Sequence, residues 1–325
     1  MHEDTPSPTG QSRKPSVSAI ICSRNRPKLL AETIHSILQG TEVPDELIIV
    51  DQSDLPEQKF ETLAAHPTCH VRHVRSRSLG LSSGRNLGVA MARHDLLIFT
   101  DDDMLACSEW CRVLVRELIA GGPAAVITGK VLAAPPEVPG GFVPSLVLTE
   151  HRAVYSGRIG TDILAGGNMA IHRTTINDVG GFDERLGAGT SFPAAEDNDL
   201  GFRLLEAGYQ IRYVPEAVLY HRAWRSSRDY LPLRWRYGRG KGGYYAKYIS
   251  FRDPYLLWRM LRDICYRAVR FPWRLLRNRR KALGDVMYVA GVLAGLTAWL
   301  VIRVTTGIRI KSRHSGDPGI ECDPP

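Results

Sequence analysis

Apolar and polar positions along residues 17–221 follow two periods in turn, that of a strand and that of a helix. Val17–Cys22 is an uncharged apolar run suited to a strand buried on both faces. Pro27 opens an amphipathic helix to Leu38, at a first-turn position where proline's missing N–H costs nothing. Glu46–Asp51 is a second apolar strand ending on a carboxylate, Leu55–Ala65 has helical spacing, and Val71–Val74 is a short strand. A helix over Ser82–Ala92 carries Gly84 and Gly88 on one side, and the strand Asp95–Thr100 runs straight into Asp101, Asp102 and Asp103. Helix Ser108–Ala120, strand Ala124–Val131, a Pro- and Gly-rich loop Pro135–Pro144, a helix from about Asp197 to Ala207 and a strand Ala217–Tyr220 follow. This alternation predicts an α/β fold with a doubly wound mixed, mainly parallel sheet. Ligands of such sheets bind at the carboxyl ends of the strands. Three of those ends carry polar groups: Ser23-Arg24-Asn25, Asp51 and Asp101–Asp103.

Beyond Arg222 the pattern changes. Pro254–Arg280 sets Leu257, Leu261, Ile264 and Ala268 at helical spacing, with Arg259, Arg262 and Arg270 off that stripe and Trp258 and Trp273 near its ends. That is an interfacial amphipathic pattern. Val286–Ile302 then gives 17 residues without a charge, interrupted by Gly291, Gly295 and Thr297. This is the lower limit for a spanning helix and equally suits a shallow insertion or a core helix. Basic residues on both sides, Arg277–Lys281 and Arg303–Arg313, favour shallow insertion.

Charge sharpens the division. The chain of 325 residues has a net charge of +8, yet 22 Lys and Arg against four Asp and Glu lie between Arg222 and Arg313. An acidic front and a basic back imply two jobs. A solvated face, a nucleic acid or anionic lipid headgroups would each suit the back; its Trp, Tyr and Leu favour lipid, and no nucleic-acid partner is expected. The expected organisation is a disordered leader over 1–16, a catalytic domain over 17–222, a basic helical membrane-associating region over 223–313 and a disordered tail over 314–325. The six cysteines form no CxxC pair and read as reduced thiols. Met1–Ser16 has no apolar signal segment, so the expected location is the cytoplasmic face of the cell membrane, peripheral or shallowly inserted.

Three consecutive aspartates repel one another, and a hard divalent ion completed by substrate phosphates compensates them naturally, as does a solvated turn. Gly80–Gly88 precedes that strand and would present helix N–H groups to an anion with Arg85 beside them; its glycines equally suit close packing on the sheet. Glu196 and Asp197 open a helix, where acids cap the dipole, or where one serves as a base whose pKa the other raises.

In order, Ser23-Arg24-Asn25-Arg26-Pro27, Ile-Val-Asp51, Gly-Arg-Asn-Leu-Gly88, Phe-Thr-Asp-Asp-Asp103, Gly-Gly-Asn168, Gly-Gly-Phe-Asp183-Glu, Glu-Asp197 and Tyr-His221 resemble the inverting GT-A glycosyltransferases of family 2 across residues 17–221. The resemblance implies a GT-A-type fold and a nucleotide-sugar donor. Asp51, Ser23 and Arg24 would contact the base, and Arg85 and Asn86 the nucleotide and its diphosphate; Asp101 and Asp103 match the family's Asp-x-Asp element, which engages ribose and metal, with Asp102 making the match ambiguous by one residue. Asp101, Asp103 and His221 would hold Mn2+ or Mg2+, with the direct carboxylate among the three left open. Gly166, Gly167 and Asn168 would line the sugar pocket, and Asp197, with Glu196 beside it, would be the catalytic base. The implied reaction is inverting transfer of a hexosyl or deoxyhexosyl group to a glycan or lipid-linked acceptor at a membrane surface engaged through 254–302. Gln52-Ser53-Asp54 departs from the family's usual acid and glycine, leaving the nucleotide open. The chain also lacks a Gln-x-x-Arg-Trp element, since Leu231 precedes Arg234-Trp235, so single transfers are expected. A nucleotidyltransferase would not need the Glu196-Asp197 pair, and a catalytically silent binding module would be expected to have lost its acids. No GxGxxG follows the first strand, which argues against a dinucleotide enzyme.

Overall fold

The computed structural model describes residues 15–55, 66–250 and 252–306. The leader before residue 15, most of the helix expected over 55–65 and the tail over 314–325 lie outside the described residues. The strands β1 (Val17–Ser23), β2 (Glu46–Asp51), β3 (His70–Arg75), β4 (Leu96–Asp101), β5 (Met104–Ala106), β6 (Ala125–Ala133), β7 (Ala153–Tyr155), β8 (Asn168–His172) and β9 (Gln210–His221) form one mixed sheet. Its order is β3-β2-β1-β4-β8-β6-β9-β5, with β7 also on β9. The half from β3 to β4 is parallel, β8 enters antiparallel on both sides, and β6 and β9 pair in parallel.

Both faces are covered, as a parallel sheet requires. From β1, Val17, Ala19 and Ile21 point to one core with α1 (Pro27–Leu38) and with Trp110, Leu114 and Leu118 of α3 (Trp110–Gly121). Ile20 and Cys22 point to the other with Val89 of α2 (Leu81–Met91) and with Leu200 and Leu204 of α5 (Glu196–Glu206); the short α4 (Arg173–Asp178) sends Ile176 to the same core. Gly84 and Gly88 serve this packing: a Cβ at Gly88 would run into Ile20, and one at Gly84 would lie 3.0 Å from Cys22 Sγ.

Register places the site. Ser23 pairs with Asp51, and Cys22 pairs with Asp101, so the ends of β1, β2 and β4 share one edge where the chain switches from one side of β1 to the other. Met104 of β5 pairs antiparallel with His221, which draws the end of β9 beside Asp103. Strand β9 is longer than the expected Ala217–Tyr220. It passes through Pro215 because the register with β6 shifts between Gly129 and Lys130, so the proline need not donate to the ladder.

Three helices follow: α6 (Tyr230–Tyr248), α7 (Tyr255–Arg277) and α8 (Arg279–Thr306). Helix α8 lies parallel to α6 with backbones nearly touching. A Cβ at Gly238 or Gly242 would overlap the carbonyls of Tyr288 or Val292, and one at Gly291 or Gly295 those of Trp235 or Arg239. Small residues four apart on each helix permit this approach. Tyr244, Tyr245, Leu256, Met260, Tyr288 and Val292 then join these helices to Ala195 in a third core. Helix α7 corrects the expected stripe. It turns Leu256, Arg259 and Met260 inward and leaves Trp258, Leu261, Val269, Trp273 and Leu276 exposed. Arg259 is buried because its guanidinium binds Asp162 and the Tyr244 hydroxyl.

Replacing a helical glycine by alanine ordinarily stabilises by about 0.5–1 kcal/mol. At Gly242 the sign should reverse: Gly242→Ala is expected to cost about 1–3 kcal/mol by overpacking, read as a lowered midpoint in thermal denaturation. An unchanged or raised midpoint would show that the helices are not this close.

Candidate active site

The strand ends open into a cleft of about 840 Å³ lined by residues from both halves of the chain. At its floor the three aspartates are separated by their partners. Asp101 accepts a 2.7 Å hydrogen bond from Arg85. Asp102 accepts from Ser23 Oγ at 2.7 Å and from Arg26 at 3.1 Å, and burial pushes its carboxyl up to about 6. Asp103 accepts from Arg26 at 3.0 Å and faces His221 Nε2 at 3.3 Å; against the effect of burial, His221 and Arg26 hold it below the usual range.

His221 Nδ1 lies 3.1 Å from the Pro144 carbonyl. A carbonyl only accepts, so Nδ1 carries the proton. The Nε2 atom therefore meets Asp103 either as a second N–H or with its lone pair free for a metal ion. An oxygen and a nitrogen at this separation suit neighbouring corners of an octahedral shell, which lie about 3 Å apart for bonds near 2.1 Å. Among the described residues no three His, Cys, Asp or Glu side chains converge on one point. A metal ion here would have Asp103 and His221 as its protein ligands and would take the rest of its shell from phosphate oxygens and water.

Across the cleft, Ala195 takes a left-handed conformation, φ +74°, just before α5. This strained turn brings Glu196 and Asp197 to the cleft wall. Burial raises both carboxyls, and the charge of Asp197 raises Glu196 further, to about 7. Arg85 joins the two sides. Buried, it binds Asp101, lies 3.5 Å from Glu196 and stacks over Phe182, while its Nη1 has no hydrogen-bond partner. Gly166 and Gly167 are small for a reason visible here. A Cβ at Gly167 would overlap Asp101, and one at Gly166 would lie 2.9 Å from Arg85 and 3.1 Å from Asp197.

Other expected residues sit elsewhere. Asp51 is buried, accepting from Ser53 N at 2.9 Å and contacting His73 at 3.1 Å; with Ser23 it lines a smaller cavity of about 150 Å³. Arg24 lines the main cleft and pairs with Asp54. Asn86 is not among the cleft-lining residues. Its amide holds both backbone groups of Phe182 and also Glu184. Asn168 is fully buried and its amide is consumed by Trp110, Lys130 and Ala217. Each amide satisfies two backbone groups at once: Asn86 holds Phe182 just after Gly180-Gly181, and Asn168 bridges the Lys130 and Ala217 carbonyls of β6 and β9. The start of α2 does not offer all its N–H groups to an anion either, since Leu81 N donates to Ala188. Sequence reasoning missed Asp162, Arg225, Tyr237 and Lys241 at the cleft, and gave Arg26 no role. The glycine-dense run Gly238–Gly243 is the one signal that α6 approaches something closely.

Two family models match the chain: glycosyl transferase family 2 over residues 18–180, and glycosyl transferase family group 2 over residues 141–309. The chain belongs to glycosyl transferase family 2. The pre-mycofactocin glycosyltransferase of Mycobacterium tuberculosis is 28% identical over 238 residues, 71% of this chain and 47% of that protein. The glucosyl-dolichyl phosphate glucuronosyltransferase of Haloferax volcanii is 26% identical over 235 residues, 67% of this chain and 73% of that one. The chain thus spans about half the length of the mycobacterial relative. A mannosyltransferase from Pyrobaculum calidifontis, solved in complex with GDP-Man and Mn2+, superposes with a TM-score of 0.58 at 14% identity over 88% of each chain, which shows a shared fold.

The acid pair generates a pH prediction. A base must be ionised, so turnover should fall as pH drops through the region where the pair takes up its second proton. Glu196 already holds the first proton there, so Glu196→Gln should leave that limb near its place with most turnover retained. Asp197→Asn should lower turnover about a hundredfold or more. pH–rate profiles of nucleoside diphosphate release check both, and the reverse ranking would make Glu196 the base.

Proposed function

We propose that this family 2 member transfers a sugar from a nucleoside diphosphate sugar to a hydroxyl of a glycan or lipid-linked acceptor, in one displacement that inverts the anomeric centre. The observation that supports it most is the placement of Asp103–His221 and Glu196–Asp197 across the floor at Gly166 and Gly167, with Arg85 between. The donor diphosphate would lie over the ends of β1 and β4, with the nucleoside towards Ser23, Arg24 and Asp51. Asp103 and His221 would hold a divalent ion, which supplies positive charge to the departing diphosphate. Arg85 and Arg225, both lining the cleft, would add positive charge there. The acceptor oxygen forms the new bond to the anomeric carbon, its proton passes to Asp197, and the bond to the β-phosphate oxygen breaks. Two of the relatives act, by name, on lipid-linked acceptors, which supports a lipid-linked acceptor here. Besides the Haloferax enzyme, an N-acetylglucosaminyl-diphospho-decaprenol L-rhamnosyltransferase of Mycobacterium tuberculosis is 45% identical over 67 residues, 20% of each chain.

Such an acceptor would be met at a membrane surface. Arg279–Thr305 is long and apolar enough to cross a membrane by length and composition. However, one face of that helix is packed on α6, which carries Arg234, Arg236 and Arg239. A helix with such a neighbour along several turns does not suit a span surrounded by lipid. Its opposite face exposes Leu283, Val286, Leu293, Leu300 and Val304, while α7 exposes Trp258, Leu261, Val269, Trp273 and Leu276. Two outward apolar stripes among arginines favour helices lying in the interface.

Three measurements test this reading. A panel of UDP-, GDP- and dTDP-sugars with Mn2+ or Mg2+ should give nucleoside diphosphate release with one of them. Excess chelator should abolish it, and Asp103→Ala should lower it about a hundredfold; full activity in chelator would remove the metal from the mechanism. The full chain should float with vesicles containing anionic lipid, and the triple variant Trp258→Ser, Val269→Ser, Leu276→Ser should stay in the soluble fraction. Equal flotation of the two would discard the α7 stripe as the contact.

A further inference from the structure

Lys241, on α6, takes no part in the reaction proposed above, yet its side chain is buried at the cleft. Its ammonium donates to Asp162 Oδ2 at 2.5 Å and to Asn198 Oδ1 at 3.0 Å, and lies over the rings of Tyr244 and Tyr245 at 4.7 and 5.4 Å. The other oxygen of Asp162 binds Arg259 of α7. Asn198 is the residue after Asp197, and its backbone N–H donates to Asp197 Oδ1 at 2.8 Å. Lys241 therefore ties three segments together around Asp197: the stretch leading into Gly166, the first turn of α5, and α6.

Charge makes the arrangement more than a tether. Lys241 and Arg259 set two cations around one carboxylate, Asp162, and the next acid along the cleft wall is Asp197. The groups facing Asp197 are Glu196 on its own helix, Arg85 from α2, Asp162 from the segment before Gly166, and Lys241 and Tyr237 from α6. Of these, Arg85 and Lys241 are positive; Arg85 is shared with Asp101 and Glu196, and Lys241 with Asp162. An apolar residue between two tyrosines would fill the space of Lys241 without the cost of burying an ammonium.

We propose that Lys241 is a positioning residue for the catalytic base: it fixes the first turn of α5 through Asn198 and adds to the positive charge of Arg85 that favours an ionised Asp197 beside Glu196. The inference rests on Asp197 being the base. It brings the helices after His221 into the chemistry, since a side chain of α6, braced by α7, sets the state of a group on α5.

The test uses the full chain without substrate. Asp and Glu carboxyls labelled with 13C are titrated by NMR in wild type, Lys241→Met, Lys241→Arg and Asp197→Asn, the last identifying the Asp197 resonance by its loss. Arg259 still pairs Asp162 when Lys241 becomes Met, so the fold is expected to hold, and Asn198→Ala offers a milder variant that cuts only the tether. The Asp197 midpoint should rise by about one unit in Lys241→Met and return towards wild type in Lys241→Arg; an unmoved midpoint overturns the proposal. With the donor found in the panel, Lys241→Met should lower kcat about 10- to 100-fold with donor KM within about twofold, and should add nothing on the Asp197→Asn background. The same loss on that background would also overturn it. If Asp197→Asn keeps its turnover, the base assignment fails on that measurement alone, while the titration still decides whether Lys241 sets the charge of that carboxylate.

Discussion

A buried carboxylate costs several kcal/mol unless a cation and hydrogen bonds accompany it, and six acids line this cleft: Asp101, Asp102, Asp103, Asp162, Glu196 and Asp197. None takes its cation from its own strand or helix. Arg26 comes from the turn before α1, Arg85 from α2, His221 from the end of β9, Lys241 from α6 and Arg259 from α7. The site therefore exists only when all these elements are assembled. Folding and the assembly of the chemistry are one event, because each acid is tolerable only in the presence of a partner distant in sequence.

The same requirement explains the helices that follow His221. Helix α6 must approach α8 and the loop before Glu196 closely enough to deliver Lys241 and Tyr237, and only glycine allows it. A Cβ at Gly240 would crowd the Ala194 backbone, and one at Gly243 would press on the ring of Phe192. With its inner face spent on that contact, α8 is left with an outer apolar stripe, and α7 bends the same logic further by burying Arg259 and exposing Trp258. A surface suited to lipid and a wall of the cleft are thus two sides of one three-helix layer.

Much of the fold was legible because strand and helix periods are local. The limits of α1 and β2 follow from Pro27 and from the carboxylate at Asp51, and the acids at the end of β4 marked the cleft before any contact was known. The failures are equally physical. Pro215 hid the first half of β9, since a bulge that excuses a proline from the ladder leaves no mark in the pattern. The backbone bonds of the Asn86 and Asn168 amides were hidden as well, because an amide beside glycines serves ligand and backbone alike and only the neighbouring carbonyls in space reveal them.

The sequence by itself determined the α/β alternation, the ordered acids, the family resemblance and the apolar, basic character of the last helices. All of these are carried by residue type and spacing over a few turns. Which face of α7 meets solvent, which cation neutralises which aspartate, and that Lys241 binds Asn198, next to Asp197, were decided by the tertiary structure alone. Such pairings join residues from 16 to more than a hundred positions apart, and the energy of a buried charge depends on what surrounds it in space.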